Sequence, residues 1–147
     1  MTLLYADTSV LVGAYFRDEP EHLDLLEMLL QGHERVISSE IARIELASAV
    51  MAGYRSGRLP RWRELLNTIE HDCRDGGPIL IVRLRPETIV PAASLLVTEH
   101  RLRTLDAIHL AVAMEEGPRL AAGEEIHFVT RDRDQAAAAR ALGLTVR

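Results

Sequence analysis

Leu3-Leu4-Tyr5-Ala6-Asp7 opens the chain and Ile126-His127-Phe128-Val129-Thr130-Arg131-Asp132 lies near its close; in each, a short run of mainly apolar residues ends at an acid. Runs of that length read as buried strands. Arg35-Val36-Ile37-Ser38 and residues 79–84 read the same way, and Leu144-Thr145-Val146 as a short last strand. Helical signals fill the intervals. Residues 8–16 form a helix broken by Asp18-Glu19-Pro20, and residues 21–30 carry Leu23, Leu26, Leu29 and Leu30 at helical spacing up to Gly32. A long helix spans 39–55, capped by Ser38 or Ser39 and ended at Gly57. The next takes Pro60 in its first turn and runs to about Cys73, before the break Gly76-Gly77-Pro78. Helices at 87–100, 104–116 and 132–142 complete the set. Pro91 is tolerable only near the start of the first of these, and Gly117-Pro118 closes the second. Strands separated by helices make an α/β fold with a parallel sheet of four or five strands and crossover helices. Ligands bind such sheets beyond the carboxyl ends of the strands, where Asp7 and Asp132 stand. No repeat or long linker divides residues 1–147, so a single domain is expected.

Composition narrows the chemistry. All 17 basic residues are arginine, which excludes a lysine base, a Schiff base and a phosphate-loop lysine. With a net charge of −5 the overall field does not attract nucleic acid, so metal and local arginines must reverse the sign at any nucleic-acid site. Aromatics are 4% of the chain, too few for a base-stacking platform. Cys73 is the single cysteine, so no internal disulfide forms and a reducing cytoplasm is expected. His71-Asp72-Cys73 lacks the second pair a zinc site needs and reads as helix surface. The apolar start meets Asp7 without a basic leader, and no run reaches the roughly 20 apolar residues of a membrane span.

Four acids stand out: Asp7, Glu45, Asp106 and Asp132. Each aspartate has a plain structural role open to it. Asp7 precedes a helix, Asp132-Arg133-Asp134-Gln135 has the spacing of a capping box, and Asp106 in a first helical turn suits the dipole. Glu45 is different, because Ile41, Ser48 and Ala49 are its neighbours one turn away and the solvated side of that helix carries Arg43 and Arg55. A glutamate on an apolar stripe needs a partner. Were the four to converge, their repulsion would call for a hard divalent cation, Mg2+ or Mn2+.

Asp7-Thr8-Ser9, the helix-borne Glu45, Leu105-Asp106-Ala107-Ile108-His109-Leu110-Ala111 and Val129-Thr130-Arg131-Asp132 resemble, in order and across almost the whole chain, the PIN-domain nucleases. The likeness is strongest to the VapC-type toxins of bacterial toxin–antitoxin pairs. It implies a three-layer α/β/α fold with an acidic pocket at the carboxyl end of the sheet. It implies that Asp7, Glu45, Asp106 and Asp132 are catalytic, that Asp7, Asp106 and Asp132 ligate Mg2+ or Mn2+, and that Asp134 either shares the role of Asp132 or is a solvated helix residue. The expected reaction is metal-dependent hydrolysis of RNA phosphodiesters to 5′-phosphate and 3′-hydroxyl ends. Expected partners are a cognate VapB-type antitoxin, whose tail lies in the pocket, and a second PIN domain, with the helices at 21–30 and 41–53 as candidate contacts.

Thr8, Ser9 and Thr130 are placed to orient carboxylates or water, or to cap helices; His109 reads as a packed or hydrogen-bonded side chain. Arg131 and Arg133 either touch substrate phosphates or are solvated, and the stretch Arg55, Arg58, Arg61 and Arg63 either guides RNA or is a solvated turn. Trp62 within it is expected to pack inward. The competing readings are a non-catalytic α/β protein-binding module, whose acids are caps, and a PIN-like nuclease acting on DNA. An aspartyl phosphatase is excluded because Ser9, not Asp, stands two residues after Asp7.

Overall fold

In the computed structural model, which describes residues 1–147, Leu3, Leu4, Tyr5 and Ala6 are all fully buried. Their strand, β1 (Thr2–Ala6), is the centre of a five-stranded, all-parallel sheet. β2 (Arg35–Ser39), β3 (Ile79–Val82), β4 (Glu125–Val129) and β5 (Thr145–Val146) complete it in the order β3-β2-β1-β4-β5. The chain leaves β1 toward β2 and β3, then returns to the other side of β1 as β4 and β5. The order therefore reverses between β1 and β4, whose register sets Ala6 opposite Val129.

Alternation along the strands divides the core in two. Leu3, Tyr5 and Phe128 face α5 (Pro86–Glu99), α6 (Thr104–Ala121) and α7 (Arg133–Ala141). Leu4, Ala6 and Val129 face the opposite layer, α1 (Thr8–Tyr15), α2 (His22–Leu26), α3 (Ile41–Arg55) and α4 (Trp62–Asp72). This is the expected three-layer α/β/α sandwich.

The elements differ from expectation in several places: α3 starts at Ile41 with Glu40, not Ser38 or Ser39, at its N-cap, and α4 starts at Trp62, so Pro60 lies ahead of its first turn. The helix expected at 21–30 is split. Glu21 adopts left-handed backbone (φ 61°), its carboxylate drawn to Arg131 at 2.7 and 3.2 Å, and a π-helical turn (Glu27–Gln31) follows α2. β3 stops at Val82 because the Leu84 N–H donates to the Glu40 carboxylate instead of a neighbouring strand. α5 begins at Pro86, which puts Pro91 a full turn inside the helix.

α6 runs through Gly117-Pro118 to Ala121. Pro118 removes one backbone donor, but the last turns are held by burial of Ala121 and by Glu116, a buried acid paired with Arg85 (2.6 Å) and Arg119 (3.2 Å). Gly117 lets Ile126 pack against the helix, since a Cβ there would lie 2.9 Å from its Cδ1.

The turn from α4 to β3 depends on Gly77. A Cβ at that position would stand 2.2 Å from the Asp72 carbonyl oxygen, a backbone atom that cannot swing away. Gly77→Ala is expected to lose about 2 kcal/mol or more of stability, read as a lower denaturant midpoint at unchanged slope.

Candidate active site

The carboxyl ends of β1 and β4 carry the first two acids. Asp7 follows β1, donates its backbone N–H to Val129 (3.2 Å) and caps α1 by accepting from the Val10 N–H (3.1 Å). It is 3% exposed, and its carboxylate also accepts from the hydroxyls of Ser9 and Thr130, both at 2.6 Å. Burial raises the Asp7 carboxyl above the ordinary carboxylate range despite these donors. Asp132 caps α7 by accepting from the Gln135 N–H at 2.8 Å. Both aspartates therefore cap their helices, but the capping box expected at Asp132 does not close, since the Asp132 N–H donates to Thr130 and the Gln135 side chain turns to Thr130 and Asp106.

Thr130 and Gln135 bind these ends together. The Thr130 hydroxyl lies between Asp7 and the Gln135 side-chain oxygen (2.8 Å) and accepts from the Asp132 N–H (3.1 Å). Fully buried Gln135 donates in turn to the Asp106 backbone carbonyl at 3.1 Å, which ties α7 to the first turn of α6. Ser9 accepts from the Arg131 N–H at 3.2 Å. Thr8, Ser9 and Thr130 thus all contact the proposed acids or their neighbours.

Glu45 has the partner its apolar setting demands. Its carboxylate accepts from the Thr8 hydroxyl and from His109 Nε2, both at 2.7 Å. Burial raises the Glu45 carboxyl, but the His109 and Thr8 hydrogen bonds, with the charge of Arg103, prevail and hold it below the ordinary range. A carboxylate cannot donate, so Nε2 carries a proton, and Nδ1 is left to accept from the Tyr5 hydroxyl at 2.8 Å. His109 is 2% exposed and meets the Tyr5 ring edge-on. It is the hydrogen-bonded side chain expected, with its bonds directed to the site.

Arg103, immediately before α6, was not singled out by the sequence. Its guanidinium lies 3.0 Å from Asp106 and 3.7 Å from Asp132, with its side chain 82% exposed. The signal was present as an Arg-Asp pair three residues apart, a spacing too common to notice. Tyr5 and Gln135 were also missed, Tyr5 because strand residues at that position are normally read as core.

Other residues sit elsewhere or are otherwise engaged. Asp134 is exposed on the first turn of α7 and makes no hydrogen bond, as does Arg133 beside it. Arg131 is held by Glu21 and by the carbonyls of Thr130 and Arg147. In the basic stretch, Arg58 is clamped by Asp18 and Glu19, Arg61 pairs with Glu64, and Arg63 lies over the Trp62 ring. Arg58 and Arg61 border a cleft of about 690 Å³ that also involves the carboxyl end of α1, away from Asp7. Half-buried Trp62 packs against Tyr54. Asp72 accepts from the Tyr15 hydroxyl at 2.9 Å, and burial pushes the Cys73 thiol up to about 11, so neither member of that pair has free ligand chemistry.

The convergence of the four acids is looser than a closed cluster. Glu45, Asp106 and Asp132 all feel the Arg103 charge, and Asp7 reaches Asp132 through Thr130. Yet no three acidic, histidine or cysteine side chains approach closely enough to enclose an ion. The donor set suits a hydrated hard cation, which takes one or two carboxylates and keeps its waters: the available donors are oxygens, and Asp106 and Asp132 are near enough to share one guanidinium. No helix is long and apolar enough to cross a membrane.

Among known proteins, Ribonuclease VapC46 of Mycobacterium tuberculosis is 35% identical over 146 residues, 99% of this chain and 97% of that one. Three solved structures share the fold. VapBC2 from Rickettsia felis, bound to a promoter DNA fragment, aligns at a TM-score of 0.63 and 15% identity, covering 99% of this chain and 97% of that one. A toxin–antitoxin complex from Klebsiella pneumoniae aligns at 0.57 and 20%, covering 91% and 90%. FitAcB from Neisseria gonorrhoeae aligns at 0.56 and 19%, covering 99% and 96%. The PIN domain family matches residues 4–141, and with the near full-length likeness to a VapC protein this places the chain in the PIN-domain family, in its VapC branch.

Proposed function

We propose that this protein is a metal-dependent endoribonuclease and the toxin of a toxin–antitoxin pair. The observation that carries the reading is the setting of Asp7: a nearly solvent-free acid, raised by burial, at the strand-order reversal of a parallel sheet. Asp7, Asp106 and Asp132 would hold Mg2+ or Mn2+, and Glu45 would act beside them. When bound, the cation supplies Lewis-acid activation of the phosphodiester and of water. The chain's part is orientation. Thr130 and Ser9 hold the two Asp7 oxygens, Gln135 locks α7 against α6, and His109 with Thr8 keeps Glu45 ionised and aimed. The named ribonuclease relative supports RNA as substrate, and the neighbouring toxin–antitoxin complexes support an antitoxin partner. A homodimer is part of the same proposal, and the exposed Leu23 and Ile44 are available on the expected contact helices.

The test is incubation of the purified protein with total RNA in Mn2+ or Mg2+, with and without a chelator, followed by end mapping. Fragments bearing 5′-phosphate and 3′-hydroxyl ends, lost with EDTA, are expected. A single-stranded DNA arm separates the DNA-nuclease reading. Absence of cleavage with either metal, or cleavage indifferent to EDTA, overturns the proposal.

A further inference from the structure

RNA must bring phosphates to an end of the sheet that carries four acids, in a chain of net charge −5. Some cationic group has to offset that repulsion locally. Arg131 is poorly placed for it, since the Glu21 carboxylate takes its Nε and Nη2 while the Thr130 and Arg147 carbonyls take its Nη1. Arg103 is the contrasting case. Its backbone is extended (φ −76°, ψ 161°) just ahead of α6, its side chain is 82% exposed, and its only polar partners are Asp106 and Asp132.

We infer that Arg103 is a substrate-positioning residue: it serves as counter-cation to Asp106 and Asp132, yields those carboxylates to the divalent ion, and then binds the RNA phosphate beside that ion. The inference rests on the ribonuclease reading above. Its first half follows from competition. A guanidinium and a divalent cation drawn to the same two carboxylates repel each other, so binding of one weakens the hold of the other. The second half follows from reach and shape. No other protein group anchors the displaced fork, which stays within one side-chain length of Asp106, and a planar fork matches two phosphate oxygens. The same residue thus hands its place to the metal and turns to the substrate, so charge neutralisation is kept through the exchange.

Two measurements on Arg103→Ala test this, with Arg101→Ala as the neighbouring control. Calorimetric titration of the RNA-free protein with Mn2+ is expected to show about threefold to tenfold tighter binding in Arg103→Ala, because a competitor has been removed. Initial rates on total RNA at saturating Mn2+ are expected to fall about tenfold at low RNA and to recover at high RNA, a rise in KM with kcat held. Arg101→Ala changes neither. Unchanged or weaker Mn2+ binding in Arg103→Ala overturns the proposal, and so does an unchanged KM. Failure of the unaltered protein to cleave RNA would defeat the ribonuclease reading instead, and the Mn2+ affinities would then decide alone whether Arg103 guards the carboxylates.

Discussion

Asp7→Asn is expected to lower RNA cleavage on the order of 10²–10³-fold while raising the melting temperature at neutral pH. The two effects have one cause. Asp7 is 3% exposed, and burial lifts its carboxyl above the value it has in the unfolded chain. The folded protein therefore keeps a proton that the unfolded chain has already lost, and stability falls as pH rises through the interval between the two values. Above that interval the whole cost is present, at about 1.4 kcal/mol for each pH unit of displacement. Asparagine carries no charge and avoids it.

The hydrogen bonds survive the exchange. The Asn oxygen can accept from Ser9 and Val10, while its NH2 donates to the Thr130 hydroxyl, which then gives its proton to Gln135 and still accepts from the Asp132 N–H. With about 3 °C for each kcal/mol in a chain of this size, a gain of a few degrees is expected at pH 7–8. It should vanish below the ordinary carboxylate range, where the Asp7 proton is retained in both states. Melting curves of the two proteins across pH, without added metal, check this. A lower melting point for Asp7→Asn at neutral pH would show that the buried charge is not the cost described.

The other large effect is expected at His109. His109→Leu preserves apolar volume but strips the acceptor from the Tyr5 hydroxyl, which is fully buried, and the donor from Glu45. A loss of about 3 kcal/mol follows, near 10 °C in melting temperature, together with a roughly tenfold to hundredfold loss of cleavage as Glu45 loses its anchor. The pairing can be isolated. Adding Tyr5→Phe to His109→Leu removes the orphaned hydroxyl and should restore about 1–2 kcal/mol, although Tyr5→Phe alone should destabilise. Strict additivity in that double-mutant cycle would mean that the Tyr5–His109 hydrogen bond carries no energy. Recovery of stability without recovery of cleavage would separate the folding role of His109 from its hold on Glu45.

Much of the architecture was legible without coordinates. Short apolar runs between helical segments leave a parallel sheet as almost the only solution, because each crossover must cover a sheet face. The acids at the ends of β1 and β4 were legible for a related reason, since a run that stops at an acid marks the end of burial. Glu45 was readable because its helical neighbours are apolar. Less legible was the path of α6 through Gly117-Pro118. Local propensity ends a helix there, and only the buried Glu116 pairs and the packing of Ile126 against Gly117 outvote it. The start of α2 is similar: Glu21 stands just ahead of it in left-handed backbone, and its partner, Arg131, lies 110 residues away.

Taken alone, the sequence determined the strand–helix alternation, the parallel sheet that follows from it, and which acids sit at strand ends or on apolar stripes. All of these depend on periodicity and near neighbours, which a linear chain displays. Tertiary structure alone decided the partners: Tyr5 and Glu45 meeting through His109, Thr130 joining Asp7 to Gln135, and Arg103 rather than Arg131 facing the acids. Those pairings join residues from different strands and helices. Hydrogen-bond and charge geometry at 3 Å is settled only when the sheet brings its strand ends side by side.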